Sequence, residues 1–255
     1  MFCDIFYTFA ARMLSVCIDT GNSCTKIGVF EQDNLLEKHV FELFGLDEIK
    51  LIFEKYAISA CIFSSVAKHN EAITDELRKR SPYFIEFSHE TAIPVVNKYA
   101  TPQTLGKDRL AGVIGANYLM PGKNILVIDA GSAITYDFIT ADDFYLGGNI
   151  SPGIDLRFRA LHKFTGRLPL VEAKIDNPLL GNDTQSAILA GVMQGIIFEI
   201  AGYIKEFKKL YPNLSVFLTG GSAFFFANRL KSPIFANENL ILIGLNRILQ
   251  YNAKK

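Results

Sequence analysis

The chain has 255 residues, 49% of them hydrophobic, enough apolar material for one large domain or two small ones. Its formal net charge is +0 with 20% charged residues, so nothing in the charge points to a nucleic-acid partner or a polyanionic substrate. Cys3, Cys17, Cys24 and Cys61 form no CxxC pair, a usage that fits a reducing cytoplasm better than a disulfide-stapled secreted domain.

Residues 1–12 are aromatic-rich and carry Asp4 where a signal peptide carries positive charge, so they read as an extension or a short docking helix. An apolar run over Leu14–Asp19 predicts a buried strand, and Thr25–Phe30 and Leu35–Leu43 predict two more joined by tight turns. Helices are expected over Asp47–Tyr56 and His69–Arg80, with strands over Ala60–Ser65 and Phe84–Phe87. Glu90–Gly106 holds two prolines and little periodicity and reads as a loop, followed by a helix over Asp108–Leu119. The second half then repeats this order. Strands are expected over Ile125–Asp129, Ala133–Thr140 and Phe144–Ile150, and a helix from about Pro152. A long helix over Asp183–Tyr211, a strand over Leu214–Leu218 and a helix over Glu238–Tyr251 complete the chain. No apolar run reaches the roughly 18 residues of a membrane helix; the longest, Gly191–Ile204, is interrupted by Gln194 and Glu199. The unit β-β-β-α-β-α therefore occurs twice. It predicts an α/β fold of two similar lobes, 13–120 and 121–255, each a mixed sheet with flanking helices and a ligand cleft between them.

The repeat extends to chemistry. VCIDTGNSCTKIGVF (Val16–Phe30) and LVIDAGSAITYDFI (Leu126–Ile139) place Ile18, Asp19, Gly21 and Thr25 over Ile128, Asp129, Gly131 and Thr135. In each copy an apolar strand ends in Asp-x-Gly, followed by small and hydroxyl residues. Glycine lets backbone approach a ligand, hydroxyls and N–H groups can hold phosphate oxygens, and an Asp at a strand end can hold a cation or its waters against them. One such turn is commonplace, but two in matching positions read as the two halves of a phosphate clamp. No Walker-type P-loop and no GxGxxG dinucleotide fingerprint is present. TGGSA (Thr219–Ala223) follows a predicted strand and reads either as a close approach for adenine or ribose or as a tight turn into a helix. His39, His69, His89 and His162 show no metal-ligand spacing.

Taken together the motifs resemble the actin, heat-shock ATPase and sugar-kinase superfamily, and within it type III pantothenate kinases. The matching pieces are DTGNSCTK (Asp19–Lys26), LGKDRLAG (Leu105–Gly112), DAGSAITYD (Asp129–Asp137), GGNISPGIDL (Gly147–Leu156), LP (Leu168–Pro169), GNDTQSAILAG (Gly181–Gly191) and TGGSA, in family order over about Leu14 to Ile248. Ser23 and Ser132 stand where the family usually has Thr, and each keeps the hydroxyl; Gly166 departs from the family pattern without an evident reason. The resemblance implies duplicated ribonuclease-H-like units and transfer of phosphate from ATP to pantothenate, the first step of coenzyme A synthesis. It implies magnesium with the ATP, a monovalent cation (potassium or ammonium) and a cytoplasmic homodimer with no nucleic-acid or membrane partner. By motif, ATP is held by Asp19, Thr20, Gly21, Asn22, Ser23, Cys24, Thr25, Lys26 and Ser132, and the monovalent cation by Asp129. Tyr99, Gly106, Lys107, Asp108, Arg109 and Thr184 line the pantothenate site, with Asp108 as proton acceptor.

Read without the resemblance, Asp108 suits a helix cap as well as a base, Arg109 a solvated charge as well as an anion partner, Tyr99 a half-buried aromatic and Thr184 an N-cap. Lys107 and Arg109 beside Asp108 are expected to favour its ionised form. Two other functions remain open at this level: a kinase for a different alcohol, and a nucleotide-binding regulator without transfer. An eroded GKDR would favour the regulator, and here it is intact. Because the first phosphate hairpin begins only at Leu14, a protein starting at Met13 is expected to keep near-full turnover; a large loss of rate or of soluble expression would assign residues 1–12 a docking role.

Overall fold

In the computed structural model, which describes residues 14–65 and 71–254, the two halves of the chain build two mixed sheets. The extension at 1–12 and the expected helix start at His69 lie outside the described residues. The first sheet contains β1 (Leu14–Thr20), β2 (Thr25–Glu31), β3 (Asn34–Phe41), β4 (Ile58–Ser65) and β5 (Tyr83–Glu86), in the order β3-β2-β1-β4-β5. The second contains β6 (Val96–Asn97), β7 (Ile125–Ala130), β8 (Ala133–Ile139), β9 (Phe144–Pro152), β10 (Ser215–Thr219) and β11 (Phe235–Ala236), in the order β11-β10-β7-β8-β9-β6. In both sheets three antiparallel strands are extended by two parallel ones on the far side of the central strand. The central strands carry nearly continuous apolar runs because both faces are covered, whereas edge strand β3 alternates between exposed and half-buried residues.

Helices α1 (Leu46–Lys55), α2 (Glu71–Arg80) and α3 (Lys107–Leu119) belong to the first repeat. Helices α4 (Ile154–Phe164), α5 (Thr184–Leu210), α6 (Ala223–Ala227) and α7 (Leu240–Ala253) belong to the second. Two local expectations are corrected. The stretch read as a loop contains β6, whose Val96 N–H donates to the Asp143 carbonyl at 2.9 Å and so adds a strand to the open edge of β9. Pro152 does not open a helix. It ends β9 opposite Ala133, and α4 starts after Gly153. The long helix α5 is capped as its sequence predicts, with Ser186 N–H donating to Asp183 Oδ1 at 3.0 Å. By length and composition α5 could cross a bilayer, yet Ile188, Val192, Ile196, Ile200 and Ile204, spaced by four, fill the core of the second lobe.

The last helices of the two repeats change sides. Helix α3 packs on β7 and β8 of the second sheet, while α7 packs on β1, β2 and β4 of the first. The two cross at Gly115 and Gly244, at matching places in the sequences IGAN and IGLN. A Cβ on Gly244 would lie 1.8 Å from the Ala111 carbonyl oxygen, and one on Gly115 2.2 Å from that of Leu240. Two asparagines at matching positions tie each helix to its adopted sheet. Asn246 accepts from Ser15 (2.9 Å) and donates to the Gln32 carbonyl (2.7 Å), and Asn117 donates to Asp143 (2.8 Å).

No side chain fits at the crossing, so Gly244→Ala should destabilise the protein by about 1–3 kcal/mol or more, as overpacking does. Gly202→Ala, in α5 with nothing within 4 Å of the new Cβ, should be neutral or stabilising by up to ~1 kcal/mol. Urea unfolding of both variants checks the contrast, and equal effects would contradict the packing argument.

Candidate active site

β1 runs into the cleft and ends at Asp19–Thr20, turns through residues 21–24 and returns as β2. The turn is closed by Gly21 N–H donating to the Cys24 carbonyl (3.0 Å) and by Thr25 Oγ1 donating to Thr20 Oγ1 (3.1 Å). β7 and β8 make the second hairpin, closed by Gly131 N–H donating to Ala133 O at 3.1 Å. Gly153 N–H donates to the Ser132 carbonyl at 3.1 Å, which seats the start of α4 against this hairpin. The two hairpin tips meet, with the hydroxyls of Ser23 and Ser132 hydrogen-bonded at 3.0 Å. Between them lies a cleft of about 450 Å³.

Asp19, Gly21, Asn22, Ser23, Cys24, Lys26, Asp108, Asp129 and Ser132 all line this cleft. Thr20 and Thr25 turn their hydroxyls toward each other and serve the hairpin itself. Gly106 is the N-cap residue of α3. Lys107 lines a separate cavity of about 410 Å³ with His89 and Gln103. Thr184 lines an apolar groove of about 770 Å³ between α4 and α5, so a single chain does not bring it into the cleft with Asp108. Tyr99 and Arg109 sit together, the guanidinium carbon 5.7 Å from the ring centroid.

The two hairpin carboxylates have equivalent surroundings. Asp19 is in register with Ser64 on parallel β4, and Asp129 with Thr219 on parallel β10. Thr219 Oγ1 is buried without a hydrogen-bond partner, and the buried Ser64 hydroxyl lies beside Asp19 and favours its ionised form. Burial, with Asp108 and Asp129 nearby, pushes Asp19 up to about 7 against the pull of Lys26. Burial likewise pushes Asp129 up to about 6, opposed by Lys26. Asp108 is also raised, by burial first, against the N–H of Arg109 that donates to its Oδ1 at 2.9 Å. Arg109 favours the ionised form of Asp108, as expected, but burial outweighs it, and Lys107 lines another cavity.

Several residues that shape the site were not singled out in the sequence. Asp155, in the first turn of α4, brings the cleft to four carboxylates (Asp19, Asp108, Asp129, Asp155) against the single ammonium of Lys26. Gly220, within TGGSA, has φ +93°, and a Cβ there would lie 2.3 Å from Asp129 Oδ1. The glycine-dependent approach is thus to the carboxylate itself. Ser64 carries no motif signal, since a hydroxyl at a strand end is ordinary, and Thr219 was legible only as the first residue of TGGSA. Asp137 does carry one: a charge in the middle of the apolar strand AITYDFI.

Such a cleft repels a bare polyphosphate and accepts one that arrives with cations. Among the described residues no three His, Cys, Asp or Glu side chains gather into a metal site of their own. That matches an ion held by one or two carboxylates, waters and substrate phosphates. The buried carboxylates of Asp19 and Asp129, and the unpartnered Thr219 hydroxyl in register with Asp129, have the oxygen chemistry that would fit such an ion.

Comparison with known proteins agrees with this chemistry. The type III pantothenate kinase family model matches residues 15–206. A type III pantothenate kinase of Phocaeicola vulgatus is 49% identical over 241 residues, covering 94% of this chain and 100% of that one. That of Christiangramia forsetii is 44% identical over 241 residues, covering 94% and 99%. Among solved structures, a Baf family protein of Campylobacter jejuni (TM-score 0.61, 24% identity, 94% and 100% covered) has the same fold. So does a ROK family protein of Streptococcus pneumoniae (TM-score 0.51, 11% identity, 95% and 100% covered). The chain belongs to the type III pantothenate kinase family.

Proposed function

We propose that the cleft between the two hairpins is where ATP phosphorylates pantothenate, the reaction of this family and the first step of coenzyme A biosynthesis. The observation that carries the placement is the meeting of Ser23 and Ser132 above Asp19, Asp129 and Asp108 in one cavity. Residues 19–26 and Ser132 grip the phosphates from both sides, the Ser23 and Ser132 hydroxyls exchanging their mutual bond for phosphate oxygens. Lys26 faces the same anion. Asp19 and Asp129 would hold cations against it, Asp129 a potassium or ammonium ion and Asp19 the divalent ion through its waters. Bound there, the cations neutralise phosphate charge and fix the phosphates in line.

Phosphoryl transfer leaves little covalent work to the protein beyond positioning. The pantothenate hydroxyl attacks the γ-phosphorus, the bond to ADP breaks, and the hydroxyl proton passes to Asp108. Burial raises the proton affinity of Asp108, which makes it a stronger base than an ordinary aspartate. Tyr99, Gly106 and Arg109 flank this base and form the acceptor side. Thr184, in the apolar groove beside exposed Leu156, is the residue a second copy would bring near an acceptor site, and we assign the active form as a cytoplasmic homodimer.

Asp108→Asn should keep the fold and ATP affinity while lowering turnover by about 10²–10⁴-fold, the usual cost of losing a general base. Turnover, nucleotide affinity and melting temperature measured together check this, and a loss under tenfold in a folded variant would make Asp108 a cap.

Replacing potassium by sodium or tetramethylammonium at constant magnesium and ionic strength should sharply lower the rate; equal rates would remove the assignment of Asp129. The raised carboxylates add a stability signature. Folded Asp19 and Asp129 hold protons up to about 7 and about 6, where the unfolded chain has already lost them. Their contribution to stability is therefore present below the unfolded value near 3.8 and lost as pH rises through 6 to 7. Magnesium and potassium should consequently raise the melting temperature more at pH 8 than at pH 5.5, and an equal rise at both would contradict it.

A further inference from the structure

One buried charge takes no part in the mechanism above. Asp137 stands in the middle of β8 at 1% exposure, where a carboxylate needs a partner. The fork of Arg109 supplies it: Nε donates to the two carboxylate oxygens at 3.1 and 3.2 Å, and Nη2 to Oδ1 at 2.8 Å. Tyr145, on neighbouring β9, donates its hydroxyl to the same Oδ1 at 2.7 Å. The Tyr99 ring completes the cluster, stacked on Tyr145 with centroids 6.3 Å apart and lying beside the guanidinium. The first turn of α3, from the first repeat, is thereby fastened to two strands of the second.

Stability alone is a weak reason for such a pair, because well-packed apolar residues of similar volume often serve as well or better. What a two-point contact on a planar group fixes is direction. Nη1 takes no part in the bonds to Asp137. Asp108, the proton acceptor, is adjacent to Arg109 in the chain. An arginine released from Asp137 would have that carboxylate as its next partner, and pairing there would weaken the base and turn the guanidinium away from the acceptor.

We propose that Asp137, oriented by Tyr145, is a positioning residue that holds Arg109 so that Nη1, the nitrogen outside the bonds to Asp137, receives the carboxylate of pantothenate and stays off Asp108. This rests on the reading of Arg109 as an acceptor-binding residue.

The test measures KM for pantothenate, KM for ATP, kcat and melting temperature for Asp137→Asn, Tyr145→Phe and Arg109→Lys. Asp137→Asn should raise the pantothenate KM roughly 10–100-fold with the ATP KM within about twofold, as expected for hydrogen bonds to a charged group. Tyr145→Phe removes one bond and should move the same constant in the same direction by about threefold or more. It remains informative if Asp137→Asn fails to fold. Arg109→Lys keeps the charge but loses the fork, and should also raise the pantothenate KM. A parallel rise of both KM values with a lowered melting temperature would make the cluster purely structural and overturn the proposal. An unchanged pantothenate KM in Asp137→Asn and Tyr145→Phe, with a raised one in Arg109→Lys, would overturn it while sparing Arg109. An unchanged value in Arg109→Lys would remove Arg109 from the acceptor site and the proposal with it.

Discussion

The crossing of α3 and α7 at Gly115 and Gly244 is the constraint on which the site depends. Each helix packs mainly on the sheet of the other repeat, α3 keeping a smaller contact with β4 of its own, so neither half has a complete core alone. Backbone meets backbone where they cross, and both positions must lack a side chain. Because the exchange is reciprocal, the central strands β1 and β7 point their ends at each other across one cleft. Asp108, the base we propose, comes with the exchange, since it lies in the first turn of the helix that changes sides.

That placement concentrates like charge. Asp108 raises the proton affinity of both Asp19 and Asp129, Asp129 that of Asp19, and burial raises all three. The Thr219 hydroxyl, in register with Asp129, is left without a partner. A fold that leaves buried acceptors unsatisfied and like charges together is built for something that brings positive charge. A polyphosphate carrying cations meets both demands, with Lys26 and the Ser23 and Ser132 hydroxyls for its own oxygens. Affinity and order in the site thus depend on the substrate, while the pair Arg109–Asp137, satisfied within the chain, supplies a rigid wall beside it.

Much of this was legible in the sequence because it is local. Strand β7 and helix α5 follow from uninterrupted apolar runs and a cap, and the elements the sequence predicts fall within a few residues of those observed. The twin Asp-x-Gly phrases and the GKDR stretch located nine cleft residues before any coordinates. Local signals also misled where a second element decided. Strand β6 exists only because β9 offers an open edge, and Pro152 ends a strand because Ala133 lies opposite it.

What the sequence by itself determined is the repeat, the fold class, the family and the two matching hairpins, all properties of residues near one another in the chain. Only the tertiary structure decided which helix belongs to which sheet, that Thr184 lies apart from Asp108, that Gly220 makes room for Asp129, and that Arg109 is bound to Asp137. Those facts depend on distances between segments as far as 231 residues apart, and on how much water each group loses there. The same Asp-Arg dipeptide on an open helix would titrate normally. Here burial makes one member a stronger base and a distant carboxylate fixes the other.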